Sequence, residues 1–204
     1  MGARYRPIIE AFVVLALTLP LALATHLPTL FFVIPLAVIS FTRRSYADYG
    51  LSWRRPGSIG FHAAVIVAVF VPYVIGHYLF AHWWFGASFR LRVPPDFIES
   101  VFDQIVVVAL PEEFFFRGYL QTQCDLVWGR PFRFLGARWG IGLPVAALVF
   151  AACHVLNGGP ARLIVFFPGM LYGWLRARTA TIAVPTLYHA ASNLLMQVML
   201  ASLG

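Results

Sequence analysis

Four stretches of this sequence carry no Asp, Glu, Lys or Arg, and they constrain the fold more than any other feature. They cover residues 11–42, 56–89, 139–161 and 179–204. Each is at least as long as the roughly 20 apolar residues with which a helix spans the hydrocarbon layer of a bilayer. None of them alternates apolar and polar residues as the strands of a transmembrane barrel do. We therefore predict an all-α, polytopic integral membrane helix bundle.

The composition excludes the main alternatives. The chain is 60% hydrophobic and 11% charged, whereas soluble domains average about 45–50% apolar and about 25% charged residues. A soluble enzyme and a disordered chain are both excluded by these values. The net charge of +7 comes from fifteen arginines and no lysine, and in a soluble protein it would favour nucleic acid as a partner.

The long first run contains three prolines, so we divide it into two helices and count seven spans in all. A signal peptide is the alternative interpretation of the first span, but further spans follow it, and we predict that it is not cleaved. Asp96 and Glu99 have the spacing of a capping box before the fourth span. No linker separates domains, so residues 1–204 are predicted to form one transmembrane domain. The spans are predicted at about residues 8–24, 27–42, 59–85, 96–121, 141–157, 163–175 and 180–201.

The arginines test this count, because cytoplasmic loops of membrane proteins are enriched in basic residues. With seven spans and a cytoplasmic N-terminus, only Arg90, Arg92 and Arg162 lie in outer loops. The charge thus indicates orientation in the bilayer and predicts no nucleic-acid partner. The inner side holds Arg4, Arg6, Arg43, Arg44, Arg54, Arg55, Arg130, Arg133, Arg138, Arg176 and Arg178.

Charged residues within a span are costly and indicate function by default. In the fourth span, Glu113 and Arg117 are four residues apart, with the acid on the N-terminal side, which favours a helical ion pair. Glu112 has no such partner in the helix, and its side chain points about 100° around the helix axis from that of Glu113. We also expect a kink at Pro111, just before the two acids. The alternative is that both glutamates and the arginine form one buried ion network that only holds helices together.

Two other spans carry polar residues that match this spare acid. His189 and Asn193 share one face of the seventh span, because they are four residues apart, and His154 lies near the outer end of the fifth. A single buried histidine is usually structural. Two histidines, an asparagine and a spare glutamate on three spans predict a shared polar pocket.

This set of side chains suits hydrolysis of a peptide bond. A carboxylate in an apolar pocket can take a proton from water, while imidazole and amide groups donate hydrogen bonds to the oxyanion that forms. No serine lies in a G-x-S-x-G elbow, and Cys153 and His154 are adjacent and do not face each other. A zinc site is the second-ranked alternative, since the sequence has no H-E-x-x-H pair, and we predict no cofactor.

The same residues carry a resemblance to a known family. Glu112 to Leu120 is similar to the first motif of the CPBP intramembrane proteases, the CAAX-prenyl-endopeptidase and bacteriocin-processing family. Residues 150–154 resemble its F-x-x-x-H motif, and residues 169–173 with 189–193 resemble its closing H-x-x-x-N segment. The resemblance covers a catalytic core over residues 111–193. Gly169 and Gly173 form a GxxxG pair that we expect to serve close helix packing.

The resemblance implies roles for these residues. Glu112 would be the catalytic base, His154 would position the water, and His189 with Asn193 would form the oxyanion hole, with Glu113 and Arg117 as supporting residues. It implies an intramembrane endopeptidase whose partners are the lipid bilayer and a membrane-associated protein or peptide.

The substrate and the location follow from the resemblance together with the composition. Arginine without lysine, with abundant Ala, Gly and Pro, indicates a GC-rich bacterial genome and the plasma membrane. A C-terminal processing or sorting segment is then the expected substrate. The alternative classes are a non-enzymatic immunity or scaffold protein of the same fold and, less favoured for lack of an internal repeat, a transporter.

Overall fold

Helices make up almost all of the part of the chain that the computed structural model describes, residues 2–52 and 57–203. The long helices of these residues are α1 (Gly2–Thr25), α2 (Leu30–Phe41), α3 (Ile59–Phe85), α4 (residues 97–128), α5 (Gly142–Gly158), α6 (Phe166–Thr179) and α7 (Ala183–Ser202). A two-stranded antiparallel hairpin, β1 (Phe132–Phe134) and β2 (Ala137–Trp139), lies between α4 and α5. The predicted all-α class is confirmed, and each predicted segment corresponds to one of these helices. Arg54 and Arg55 of the predicted inner loop lie outside the described residues.

Helix α4 alternates between α and π geometry without a break. Its α segments are Phe97–Phe102, Leu110–Glu113 and Gln121–Trp128, and its π segments are Asp103–Ala109 and Phe114–Leu120. The helix continues through Pro111, with the first π segment directly ahead of it. Both glutamates of interest therefore lie in a short α segment between two π segments, and π turns inside helices frequently mark functional sites.

The predicted capping box at the start of α4 is wrong. The Asp96 side chain makes no hydrogen bond to the helix. Its backbone has φ −92° and ψ 19°, whereas an N-cap residue needs the extended conformation to direct its side chain at the amides of the first turn. The carbonyl of Asp96 instead accepts a hydrogen bond from the amide of Ser100.

The hairpin and the start of α6 were not predicted from the sequence. Leu135 and Gly136 both have positive φ, 44° and 78°, which is the backbone of a two-residue type I′ turn. The indole of Trp174 on α6 donates a hydrogen bond to the carbonyl of Phe134 at 3.1 Å and so holds the hairpin against that helix. A 3₁₀ turn, Pro160–Val165, replaces the predicted beginning of α6.

The main apolar core lies between α1, α2, α4 and α5, and it is centred on the fully buried rings of Phe114, Phe115 and Phe116. A cluster of polar side chains lies at the edge of this core, just beyond the end of α2. There Glu10 accepts hydrogen bonds from Arg44, Tyr119 and Gln123 at 2.5–2.8 Å. Helix α1 is thereby fixed to α4 by hydrogen bonds as well as by packing.

Hydrogen bonds between helix ends and loops fall into two groups, one at each end of the molecule. At one end, Arg4 donates to the Val127 carbonyl, Arg176 donates to the Asp48 carbonyl, and the Ile182 amide donates to the Gly50 carbonyl. At the other end, the segment after α3 pairs with the end of α7 through the Phe89–Leu203 bridge. Successive helices therefore run in alternating directions.

Two helices of the described residues are long and apolar enough to cross a membrane, as judged from length and composition. They are Ala3–Thr25 and Ile59–Phe85, while Leu30–Phe41 and Gly142–Gly158 are apolar but shorter. Helix α3 keeps only Val65 and Ala81 buried. Near its end, Trp83 and Trp84 are 79% and 76% exposed. Large apolar side chains cover much of the outer surface, as expected of a protein that contacts lipid.

Candidate active site

Three helices bring most of the predicted site residues together, because α5 and α7 both pack along α4. The residues joined in this way are Glu112, Glu113, Arg117, His154 and His189, whereas Asn193 contacts Gln104. Gly142 at the start of α5 lies so close to α4 that a Cβ on it would be 2.8 Å from the Gln121 carbonyl oxygen and 3.0 Å from Cys124. His154 lies twelve residues after Gly142, and Glu112 lies twelve residues before Cys124. Because α4 and α5 are antiparallel, these equal offsets bring the side chains of Glu112 and His154 to the same depth along the helix axes. The sequence had placed His154 further out, because it measured depth from the helix ends.

Glu113 and Arg117 form the predicted ion pair. Nη1 of Arg117 donates to Oε1 of Glu113 at 2.8 Å, and both side chains are fully buried. Nη2 of Arg117 donates to the Gly169 carbonyl of α6 at 3.3 Å, and the guanidinium lies over the Phe150 ring at 4.2 Å. Arg117 forms no ion pair with Glu112 in the described part of the chain. Both acids are nevertheless linked through His189, which lies 3.8 Å from Glu112 and 2.9 Å from Glu113, so one network that only holds helices together stays the alternative interpretation.

Glu113 also makes a hydrogen bond with His189 on α7. Nδ1 of His189 lies 2.9 Å from Oε1 of Glu113. The imidazole stacks on the ring of Tyr172, with the ring centroids 5.1 Å apart and 17° between the planes. The Glu113 carboxylate accepts a hydrogen bond from Arg117 and acts as an acceptor toward His189 as well. Nδ1 of His189 therefore carries the hydrogen, and Nε2 faces the other acid, Glu112.

Glu112 lies between the two histidines. Its Oε2 is 3.8 Å from Nε2 of His189 and 4.0 Å from Nε2 of His154. This oxygen is buried, and it accepts no hydrogen bond from the residues that the structure describes. The Glu112 side chain is 16% exposed and that of His154 is 26% exposed, so the pocket is open on the His154 side. The sequence interpretation of Glu112 as the unpaired acid agrees with this geometry.

His154 is held in one orientation by its own helix. Its Nδ1 lies 2.9 Å from the Phe150 carbonyl oxygen, which can only accept, so Nδ1 is the donor. In the neutral imidazole, Nε2 is then an acceptor that faces Glu112. The Phe150 ring lies 4.3 Å from the imidazole and separates it from Arg117.

The sequence was also compared with known proteins. The model of the family described as "Type II CAAX prenyl endopeptidase Rce1-like" matches residues 94–195, which is half of the chain. The chain belongs to this family. No curated protein and no solved structure matches it.

Membership of the Rce1-like family confirms the resemblance that the motifs indicated. The Rce1-like proteins are a family of membrane-embedded proteases, so the chain is assigned to hydrolases of the CAAX protease type. The matched range contains all the predicted site residues, namely Glu112, Glu113, Arg117, His154, His189 and Asn193.

One neighbour of the site was missed by the sequence interpretation. Nδ2 of Asn193 donates to Oε1 of Gln104 at 2.7 Å, which joins α7 to the first π segment of α4. Gln104 follows Asp103 and precedes the apolar stretch that leads to Pro111, and this amide at the edge of an apolar run was the available signal. Tyr172 was noted within a motif but was given no role, although it forms one wall of the His189 site.

The glycine pair on α6 serves close packing, as predicted. A Cβ on Gly169 would lie 3.2 Å from Nη2 of Arg117, and one on Gly173 would lie 2.8 Å from Leu143. Within residues 2–52 and 57–203, no three His, Cys, Asp or Glu side chains are placed to share a metal ion.

Proposed function

We propose that this chain is an intramembrane endopeptidase in which Glu112 activates a water molecule for attack on a peptide carbonyl. The observation that carries the proposal is the buried Oε2 of Glu112, which has no hydrogen-bond partner among the described residues and lies beside two imidazoles. Buried polar atoms without a partner are uncommon in folded proteins. A carboxylate of this kind is suited to bind and deprotonate water.

The distances fit a water between Glu112 and His154. Two atoms 4.0 Å apart can both lie about 2.8 Å from one water oxygen, and the angle between the two contacts is then about 90°, which suits a water that donates to both. Both atoms are acceptors, since Oε2 belongs to a carboxylate and Nε2 of neutral His154 carries no hydrogen. The water would donate one hydrogen to each, which leaves a lone pair directed at the substrate.

The reaction then follows ordinary acid–base chemistry. The water oxygen bonds to the carbonyl carbon while its proton passes to Glu112, and a tetrahedral oxyanion forms. When the C–N bond breaks, Glu112 returns this proton to the leaving amine. The products are a new carboxylic acid and a new amine, and the acid then loses its proton to the amine or to solvent; no metal takes part in any step.

Asn193 and His189 would stabilise the oxyanion. One hydrogen of the Asn193 amide is donated to Gln104, and the second is available to the substrate oxygen. Since Nδ1 of His189 is occupied by Glu113, Nε2 can donate only when the ring is protonated. The Glu113 carboxylate stabilises that imidazolium, and Arg117 fixes the carboxylate. Glu113 and Arg117 are therefore proposed as positioning residues.

We further propose that all seven long helices cross the bilayer and that the N-terminus is cytoplasmic. The contacts at helix ends support this arrangement, because Arg4, Asp48, Val127 and Arg176 meet at one end, which is the end where the arginines cluster. Trp83 and Trp84 are exposed at the opposite end of α3, as is typical of side chains at the membrane–water interface.

The proposed substrate is a segment of a membrane-associated protein, cleaved near its C-terminus. The family name refers to CAAX prenyl endopeptidases. The composition, with fifteen arginines and no lysine, is typical of a bacterial protein encoded by a GC-rich genome. We therefore favour a processing or sorting segment and localisation in a bacterial plasma membrane.

The test compares protein C-termini by mass spectrometry in cells that carry wild-type chain or the Glu112→Gln variant. The control is Glu99→Gln, which makes the same chemical change at an exposed position of α4. We expect at least one new C-terminus with the wild type and the control, and none with Glu112→Gln. If the Glu112→Gln and His189→Ala chains both keep full biological activity, a non-enzymatic immunity or scaffold role is the better interpretation.

A further inference from the structure

The hairpin after α4 contains a pair of arginines that the proposed reaction does not use. Arg133 of β1 and Arg138 of β2 are direct partners in the register of the hairpin. Opposite residues in such a pair have Cβ atoms about 4.5–5.5 Å apart, and like charges at this distance are destabilising. Neither arginine forms an ion pair with a carboxylate in the part of the chain that the structure describes. An anion between them would remove the repulsion.

A cavity lies beside these arginines. This cavity, of about 460 Å³, is lined by both arginines and by the turn residues between them. A third arginine, Arg178 of α6, packs against this turn, since a Cβ on Gly136 would lie 2.7 Å from its Nε. The Arg178 guanidinium also lies over the Phe61 ring of α3 at 5.4 Å. Three positive charges are therefore carried by the hairpin or packed against its turn.

An apolar groove of about 640 Å³ adjoins the basic cavity. It runs between α3 and α6, shares Phe134 and Leu135 with the cavity, and has Arg178 in its wall. Its other lining residues include Ala64, Ala68, Leu171 and Trp174. An apolar channel that opens beside a cluster of positive charges is complementary to a molecule with a fatty chain and an anionic head.

We propose that the hairpin and the groove form a binding site for an anionic phospholipid of the inner leaflet. The phosphate would lie between Arg133 and Arg138, and one acyl chain would follow the groove between α3 and α6. Basic pockets between helices on the cytoplasmic side are a recognised form of lipid site. The bound lipid would fill the space beside α3, which otherwise has few buried side chains. The site is separate from Glu112, so the proposal does not depend on the protease mechanism; its inner-leaflet location rests on the proposed cytoplasmic N-terminus.

The test is native mass spectrometry and thermal unfolding of the purified full chain with phosphatidylglycerol or phosphatidylcholine of the same acyl chains. We expect retention of phosphatidylglycerol, a higher unfolding temperature with it, and binding about 10–30-fold weaker in an Arg133→Gln/Arg138→Gln variant. The control, Arg90→Gln/Arg92→Gln, removes the same charge from the other end of the molecule and should bind as the wild type does.

A second variant tests the groove with the arginines intact. Ala68 is exposed on α3 and lines the groove, so Ala68→Phe is expected to fold, to fill the channel and to weaken phosphatidylglycerol binding. Equal retention of the two lipids, or unchanged binding in the arginine variant, would overturn the proposal. So would an equal effect of inorganic phosphate alone, or displacement of the lipid by a second copy of the chain or by an apolar peptide.

Discussion

The buried ion pair between Glu113 and Arg117 offers a quantitative test of how the site is built. Both side chains are fully buried, and their atoms are 2.8 Å apart. Arg117→Met removes the positive charge but keeps an apolar chain against Phe150. It leaves the Glu113 carboxylate buried with His189 as its remaining partner. Removal of one member of a buried pair costs about 3–5 kcal/mol, and for a chain of this length that loss lowers the unfolding temperature by roughly 6–20 °C.

The Glu113→Gln variant completes a double-mutant cycle. Glutamine keeps an acceptor for His189 but leaves the Arg117 charge without its partner, so a similar loss is expected. In the variant that combines Glu113→Gln with Arg117→Met both charges are gone, and its loss should be smaller than the sum of the single losses by about 1–3 kcal/mol. Thermal unfolding in one detergent, followed by tryptophan fluorescence, measures all four proteins.

Two results of this cycle would refute the reasoning. One is a shift in unfolding temperature below about 2 °C for either single variant. Such a small shift would mean that the pair is not buried, or that another group compensates the charge that is left behind. The other is additivity of the two single losses. Arg117→Lys separates charge from geometry, because lysine keeps the charge but cannot lie flat over Phe150 while it donates to both Glu113 and Gly169. We expect its stability to fall between those of the wild type and Arg117→Met.

Three further predictions concern packing, positioning and metal. Gly118→Ala would place a Cβ 2.7 Å from the Tyr49 carbonyl oxygen and should lower the stability of the fold by about 1–3 kcal/mol. The control is Gly76→Ala, whose Cβ would have nothing within 4 Å and which should leave stability unchanged. Thermal unfolding measures both variants. Gln104→Leu removes the acceptor that orients Asn193, so kcat should fall about tenfold with little change in KM. Gln104→Glu keeps an acceptor and should recover part of this loss in kcat. Treatment with a chelator should leave cleavage unchanged if no metal takes part, and loss of activity that zinc restores would favour the metal-dependent alternative.

Much of the fold could be predicted from the sequence, because a long uncharged apolar segment in a lipid bilayer has few stable structures other than a helix. Runs of apolar residues without charge indicate helices, and arginines mark one side of the bundle. The sequence did not predict features that depend on tertiary contacts. The hairpin depends on the positive φ angles of Leu135 and Gly136 and on the bond from Trp174. The π segments of α4 and the conformation of Asp96 likewise depend on packing that no local pattern encodes.

Which side chains of the candidate site lie near one another could be predicted more fully than the loops, for a physical reason. Spacing along one helix already separates Glu113, which reaches Arg117, from Glu112, which does not. Charged and polar residues are so scarce in the spans that the six predicted side chains had few competitors. Gln104 was missed because a single amide in an apolar run has no partner in the sequence nearby. Its partner, Asn193, lies 89 residues away.

The most direct test of the account is the rate at which purified Glu112→Gln protein in liposomes cleaves a substrate peptide taken from the C-terminus comparison. The side chain keeps its size and polarity, so we expect the variant to unfold at nearly the temperature of the wild type. Loss of the general base should lower the cleavage rate by about 10²–10⁴-fold. A rate within about threefold of the wild type, a difference of less than 1 kcal/mol in the barrier, would contradict the assignment of Glu112 as the base.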